Sequence, residues 1–157
     1  MNHRAQIINT VEKFYVDVVE EFKETELQIM ADSKFKSIFR KKDYDGNIMK
    51  LRACKKDALS LDTSGMTADD ENARSVLRQL ERCLAVFNNL CDAYIQLQTA
   101  LKSKANKEEL RLSSYREIFG KVQSIRERMN GELHELDIIY TDYTYDEEGE
   151  KWEMKTL

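Results

Sequence analysis

Between positions 73 and 101 the apolar residues keep a single rhythm. Ala73, Val76, Leu80, Cys83, Phe87, Leu90, Tyr94, Leu97 and Leu101 follow one another in alternating steps of three and four. That spacing puts every one of them on the same stripe of a helix, and a seven-residue repeat sustained this long favours a gently supercoiled rod packed along its side. Leu77, Leu84 and Cys91 widen the stripe. A helix of about 35 residues would be roughly 50 Å long. No proline interrupts it, nor any other part of the 157-residue chain. Proline breaks helix interiors and is common at the turns of loop-rich folds, so its absence points to long helices throughout.

Two further stripes have helical spacing. Ile7, Val11, Phe14, Val18, Phe22 and Ile29 predict a first helix from about residue 4 to 30, broadened by Ile8, Tyr15 and Val19. Leu110, Ile118, Val122, Ile125, Met129, Leu133, Leu136 and Tyr140 predict a last one, with Asn106 and Glu109 as its candidate cap. Gly120 and the Asn130, Gly131 pair are its weak points, but the apolar phase survives both, so one continuous helix is expected. Asp32 or Ser33 is a candidate cap for a short continuation carrying Phe35, Ile38 and Phe39, and Asp45, Gly46 and Asn47 read as an interruption. Ile48, Leu51, Ala58 and Leu59 suggest a shorter helix ending near Ser60. A loop follows, and Thr67 offers a hydroxyl to cap the long helix.

The expected fold is therefore all-α: an up-and-down antiparallel bundle of three long helices and one or two short ones. At this length a single domain buries roughly two thirds of its unfolded surface and needs neither disulfide nor metal to fold. The bundle is assigned to residues 1–140. Residues 141–157 differ: Tyr143, Tyr145 and Trp152 alternate with Asp142, Asp146, Glu147, Glu148, Glu150 and Glu153. They read as an acidic aromatic tail, either unstructured or folded into a small hairpin.

Charge is unevenly placed in a chain whose net is −4. Lys34, Lys36, Arg40, Lys41, Lys42, Lys50, Arg52, Lys55 and Lys56 face only Asp43 and Asp45 between positions 34 and 56, a local net of +7. With Phe35, Phe39 and Tyr44 among them, these nine form a candidate binding patch for phosphates or unpaired bases. The competing reading is a solvated helix face, neutralised by the acidic segments at 17–32 and 142–157; docking of the acidic tail onto the patch is the favoured form of that neutralisation.

Catalytic signatures are weak. His3 and His134 lack carboxylate partners at metal-binding spacing; Cys54, Cys83 and Cys91 show no paired-cysteine motif, and Cys83 and Cys91, in an apolar helical pattern, suit a core. No glycine-rich phosphate loop or nucleophile elbow can be assembled from five scattered glycines. Glu21 with Glu24 and Glu132 with Glu135 have the three-residue spacing that holds magnesium in some all-helical nucleotide hydrolases. No catalytic residue, metal ligand or cofactor is assigned. The leading expectation is a non-catalytic helical interaction protein acting through a protein partner, with a homodimer through the 73–101 stripe as one form of it. A nucleic-acid or phosphate binder using the basic segment comes second, and a magnesium-dependent nucleotide hydrolase third. Neither a secretory leader nor a membrane-spanning run is visible, so a cytoplasmic setting is the expectation.

Overall fold

The computed structural model describes residues 3–32, 43–68, 70–105 and 111–156. Among these, all regular structure is helical: α1 (His3–Lys13), a π-helical stretch (Phe14–Val19), α2 (Glu20–Asp32), α3 (Tyr44–Leu59), α4 (Glu71–Ala105) and α5 (Leu112–Thr156). The first three form one unbroken rod, because Lys13 and Glu20 at the joints both keep right-handed helical backbone angles. Within it the Glu20 amide reaches back to the Tyr15 carbonyl, five residues away. Three valines in six residues weaken the ordinary helical repeat there, and the widened turn lets Val18 and Val19 both face inward.

Long-range bonds fix the directions. Lys102 meets Asp45, Gln98 meets Asn47 and Asp92 meets Lys55, so α3 and α4 are antiparallel. Gln79 bonds to Glu132 low on the α4–α5 seam, whereas Tyr94 and Leu97 lie level with Val122 and Phe119. That pair is antiparallel too. Arg4 donates to the Tyr143 carbonyl, Tyr15 to Asp137 and Arg126 to Glu26, which sets the first rod antiparallel to α5. The result is an up-and-down bundle with three long rods and a shorter fourth, α3.

Helix α4 is the axis. All but Leu101 and Leu84 of its apolar stripe are buried, and Val86, Ala93, Gln79 and Gln98 are buried on its other sides. Phe87 sits at the centre, with its ring edge-on to Phe14 at 6.2 Å and to Phe22 at 5.1 Å. The 73–101 stripe is thus consumed inside the chain, and a homodimer could not use it without opening the bundle.

Three boundaries differ from the sequence reading. Residues 45–47 do not interrupt a helix but form the first turn of α3, where the Asp43 carboxylate accepts the Gly46 amide at 2.9 Å. A Cβ on Gly46 would stand 2.1 Å from that carboxylate, so a larger residue there would require the Asp43 side chain to shift. The α4 cap is Asp70, which accepts the Ala73 amide at 2.7 Å, in place of Thr67.

The end of the chain departs most. Residues 141–156 are neither a hairpin nor an irregular tail but the continuation of α5. Val122, Met129, Leu136 and Tyr143 are buried at strict seven-residue intervals, so the stripe carries the helix past position 140. The Arg4 guanidinium then lies 4.4 Å from the centre of the Tyr143 ring. From Arg126 to Tyr143 the helix climbs roughly 25 Å. The expected docking of the tail on the basic segment involves positions 34–42 and the side chains of 146–157, which lie outside the described residues. The caps expected at Ser33 and Asn106, and Phe35, Ile38, Phe39 and Leu110, lie outside the described residues.

Candidate functional site

The last turns of α2, the first residue of α3, the last turns of α4 and the first turns of α5 converge at one end of the bundle. They enclose a pocket of about 520 Å³. Tyr94, Leu97, Gln98 and Leu101 of α4 form its floor; Tyr115, Phe119, Val122, Gln123, Arg126 and Glu127 of α5 form one wall. Ile29 and Met30 of α2 and Tyr44 of α3 complete the opposite side. Tyr115 and Phe119, one turn apart, stack with planes 11° from parallel and centres 6.0 Å apart. A volume of this size and an aromatic lining with few polar groups are typical of sites that take a ligand or an anchoring side chain.

Behind the wall lies a three-residue polar cluster. Glu26, only 9% exposed, receives the Tyr94 hydroxyl at 2.6 Å on one oxygen and the Arg126 guanidinium on the other. Burial and the neighbouring carboxylate push the Tyr94 hydroxyl well above the ordinary tyrosine range, so it stays a donor. On the other side of α4, the buried Asn47 amide donates to Gln98 at 3.0 Å. These bonds hold the floor rigid between α2, α3 and α5.

The candidate residues from the sequence are scattered. Lys34, Lys36, Arg40, Lys41 and Lys42 lie outside the described residues. Lys50, Arg52, Lys55 and Lys56 are on α3: Lys55 is paired with Asp92 at 2.8 Å, Lys50 lines a groove beside Glu21 and Glu24, and Arg52 and Lys56 face solvent. The two carboxylate pairs are not brought together. Glu21 and Glu24 look toward α3, whereas Glu132 and Glu135 line a polar cleft with Arg78 and Arg82 of α4. Among the described residues no group of three or more histidines, cysteines or carboxylates could share a metal.

Cys83 and Cys91 are core residues, as their positions suggested, and Cys54 is buried with them. All three are free and buried. Burial pushes the Cys54 thiol up to about 11 and the Cys83 thiol up to about 12, and Cys91 higher still, leaving almost no thiolate for nucleophilic work near neutrality. Cys83 donates to the Glu132 carbonyl at 3.3 Å and so ties α4 to α5.

Sequence reasoning missed both the pocket and the Glu26 cluster. Glu26 is one of six acidic residues in the 17–32 segment, and its partners are 68 and 100 positions away. Tyr94 stands in the apolar stripe, with nothing local to say that its hydroxyl needs an acceptor.

Comparison with protein-family models, curated proteins and solved structures finds no match. No helix among the described residues is long and apolar enough to cross a membrane.

Proposed function

We propose that this chain is a non-catalytic interaction protein that takes an apolar element of a protein partner into the pocket between α2, α4 and α5. The aromatic and aliphatic lining that the described residues give that pocket is the observation that supports it. The disposition of the reactive groups points the same way. The Glu26, Arg126 and Tyr94 cluster, the Tyr15–Asp137 bond and the Cys83 thiol each join one helix to another, and the other two thiols are buried. Their engagement suits a scaffold better than a reaction centre.

A photo-crosslinking amino acid at Leu112 tests this, because Leu112 is 63% exposed one turn before Tyr115 at the pocket rim. In cells it captures a defined protein, and Leu101→Glu, which sets a carboxylate on the pocket floor, abolishes capture while leaving the helical circular dichroism unchanged. The same crosslinker at Met49, exposed on α3, captures nothing in common with it. Capture that is identical from both positions, or indifferent to Leu101→Glu, contradicts the proposal.

A further inference from the structure

Two of the three buried thiols share one helix seam. Asn47 of α3 donates to Gln98 of α4 at 3.0 Å, so these two positions face each other across the antiparallel pair. Seven residues make two helical turns to within about 20°. Seven residues on from Asn47 stands Cys54, and seven back from Gln98 stands Cys91. Because α3 and α4 are antiparallel, both steps run the same way along the bundle. Cys54 and Cys91 therefore face each other at one level, as Asn47 and Gln98 do. The residues next to them, Lys55 and Asp92, hold that level with an ion pair of 2.8 Å. Both cysteines are free, and they are 3% and 0% exposed. Burial raises the Cys91 thiol above its ordinary range, and the neighbouring Cys54 raises it further.

Cys83 stands apart from this pair. It lies about 12 Å before Cys91 along the axis of α4, and it donates to the Glu132 carbonyl of α5. A disulfide needs Cα atoms within about 7 Å of each other. Three cysteines allow three pairings, and the fold permits one of them.

The pair also has an approach from solvent. Cys54 lines a groove of about 470 Å³ between α2 and α3, flanked by Glu21, Thr25 and Lys50, all on described helices. Cys91 is not part of that lining, so a small molecule entering the groove meets Cys54 first.

We infer that Cys54 and Cys91 form a modification site, at which hydrogen peroxide closes a disulfide that ties α3 to α4. The Cys54 sulfur, as thiolate, attacks one peroxide oxygen. Its S–O bond forms as the O–O bond breaks, and the departing hydroxide leaves as water with the proton the thiol gave up. The Cys91 sulfur then attacks the Cys54 sulfur. The S–S bond forms, the S–O bond breaks, and the hydroxyl departs as water with the Cys91 proton. The two sulfurs lose two electrons between them, and the peroxide takes both. Burial keeps both groups as thiols near neutrality, so closure is slow and answers to sustained oxidant.

The test incubates the full chain with hydrogen peroxide under native conditions, alkylates it in denaturant and maps its peptides by mass spectrometry without reduction. The expected product is a Cys54–Cys91 linked peptide within one chain, with Cys83 alkylated. Its melting temperature lies about 5–10 °C above that of the untreated chain, because the link restricts the unfolded state. Cys91→Ser shows neither link nor rise, and dimedone, which traps sulfenic acid, labels its Cys54. In Cys54→Ser, Cys91 takes no label. The pairing is read in the parent chain, so it does not depend on either variant folding. A link through Cys83, a link between two chains, dimedone on Cys91 in Cys54→Ser, or a treated parent with all three cysteines still alkylated overturns the inference.

Discussion

Phe87→Ala lowers the stability of the bundle by about 3–5 kcal/mol. Phe87 is 1% exposed on the axial helix and meets Phe14 from one side of the π-helical stretch and Phe22 from the other. Removing its ring takes away the transfer energy of the aromatic side chain. It also leaves a cavity walled by two further rings, which themselves hold the first rod to α4. Those rings cannot close the gap without moving a helix, so the cavity persists and the cost sits toward the upper end of the range. The measurement is the urea midpoint of the variant against the parent, with an unchanged slope showing that the same surface is exposed on unfolding. A loss below about 1 kcal/mol would mean that Phe87 is not the centre of the core.

Glu26→Ala costs about 2–4 kcal/mol by a different route, since a buried charge stripped of its partner commonly costs about 3–5 kcal/mol. It removes no large apolar group but leaves two donors, the Tyr94 hydroxyl and the Arg126 guanidinium, without their acceptor. The lower figure applies because Arg126 keeps 28% of its side chain in contact with water. The expected pattern across variants separates the terms. Tyr94→Phe costs about 1 kcal/mol, the worth of one hydrogen bond. Arg126→Met in the Glu26→Ala background recovers part of the loss, because the orphaned cation is gone. If Arg126→Met only adds to the damage, the pair is not coupled and the geometry behind the pocket wall is wrong.

The fold was legible where one helix face meets one partner. The alternating steps of α4 and the stripes of α1, α2 and α5 lie on buried faces, and Cys83 and Cys91 fall inside as their neighbours implied. Legibility failed where two signals of different range competed. At Gly46 the local turn signal lost to an Asp43 cap that accepts the Gly46 amide and starts α3. Past Tyr140 the acidic, aromatic composition suggested an end to the bundle, yet the step from Leu136 to Tyr143 continues a seven-residue repeat begun at Val122. That step was visible in the sequence and was outweighed by composition. The pocket had no comparable trace. Its lining comes from four helices, and its polar backing joins residues as far apart as Glu26 and Arg126, so no local window contains it.

The carboxylate pairs show the same limit from the other side. Spacing places Glu21 with Glu24 and Glu132 with Glu135 on common helix faces, but says nothing about which seam each face enters. They enter different ones, the first between α2 and α3 and the second between α4 and α5.

The end pocket is the surface through which this chain is proposed to meet its partner. Methyl-labelled NMR spectra of the full chain, recorded during titration with a synthetic amphipathic helix that carries one leucine and phenylalanine face, test that most directly. The expected result is saturable shifts of the Ile29, Leu97, Leu101 and Val122 methyl groups, with Val76 and Leu80 at the far end of α4 unmoved. Shifts centred instead on Ile139 in the Arg78–Glu135 cleft, or on Leu59 at the end of α3, would contradict it.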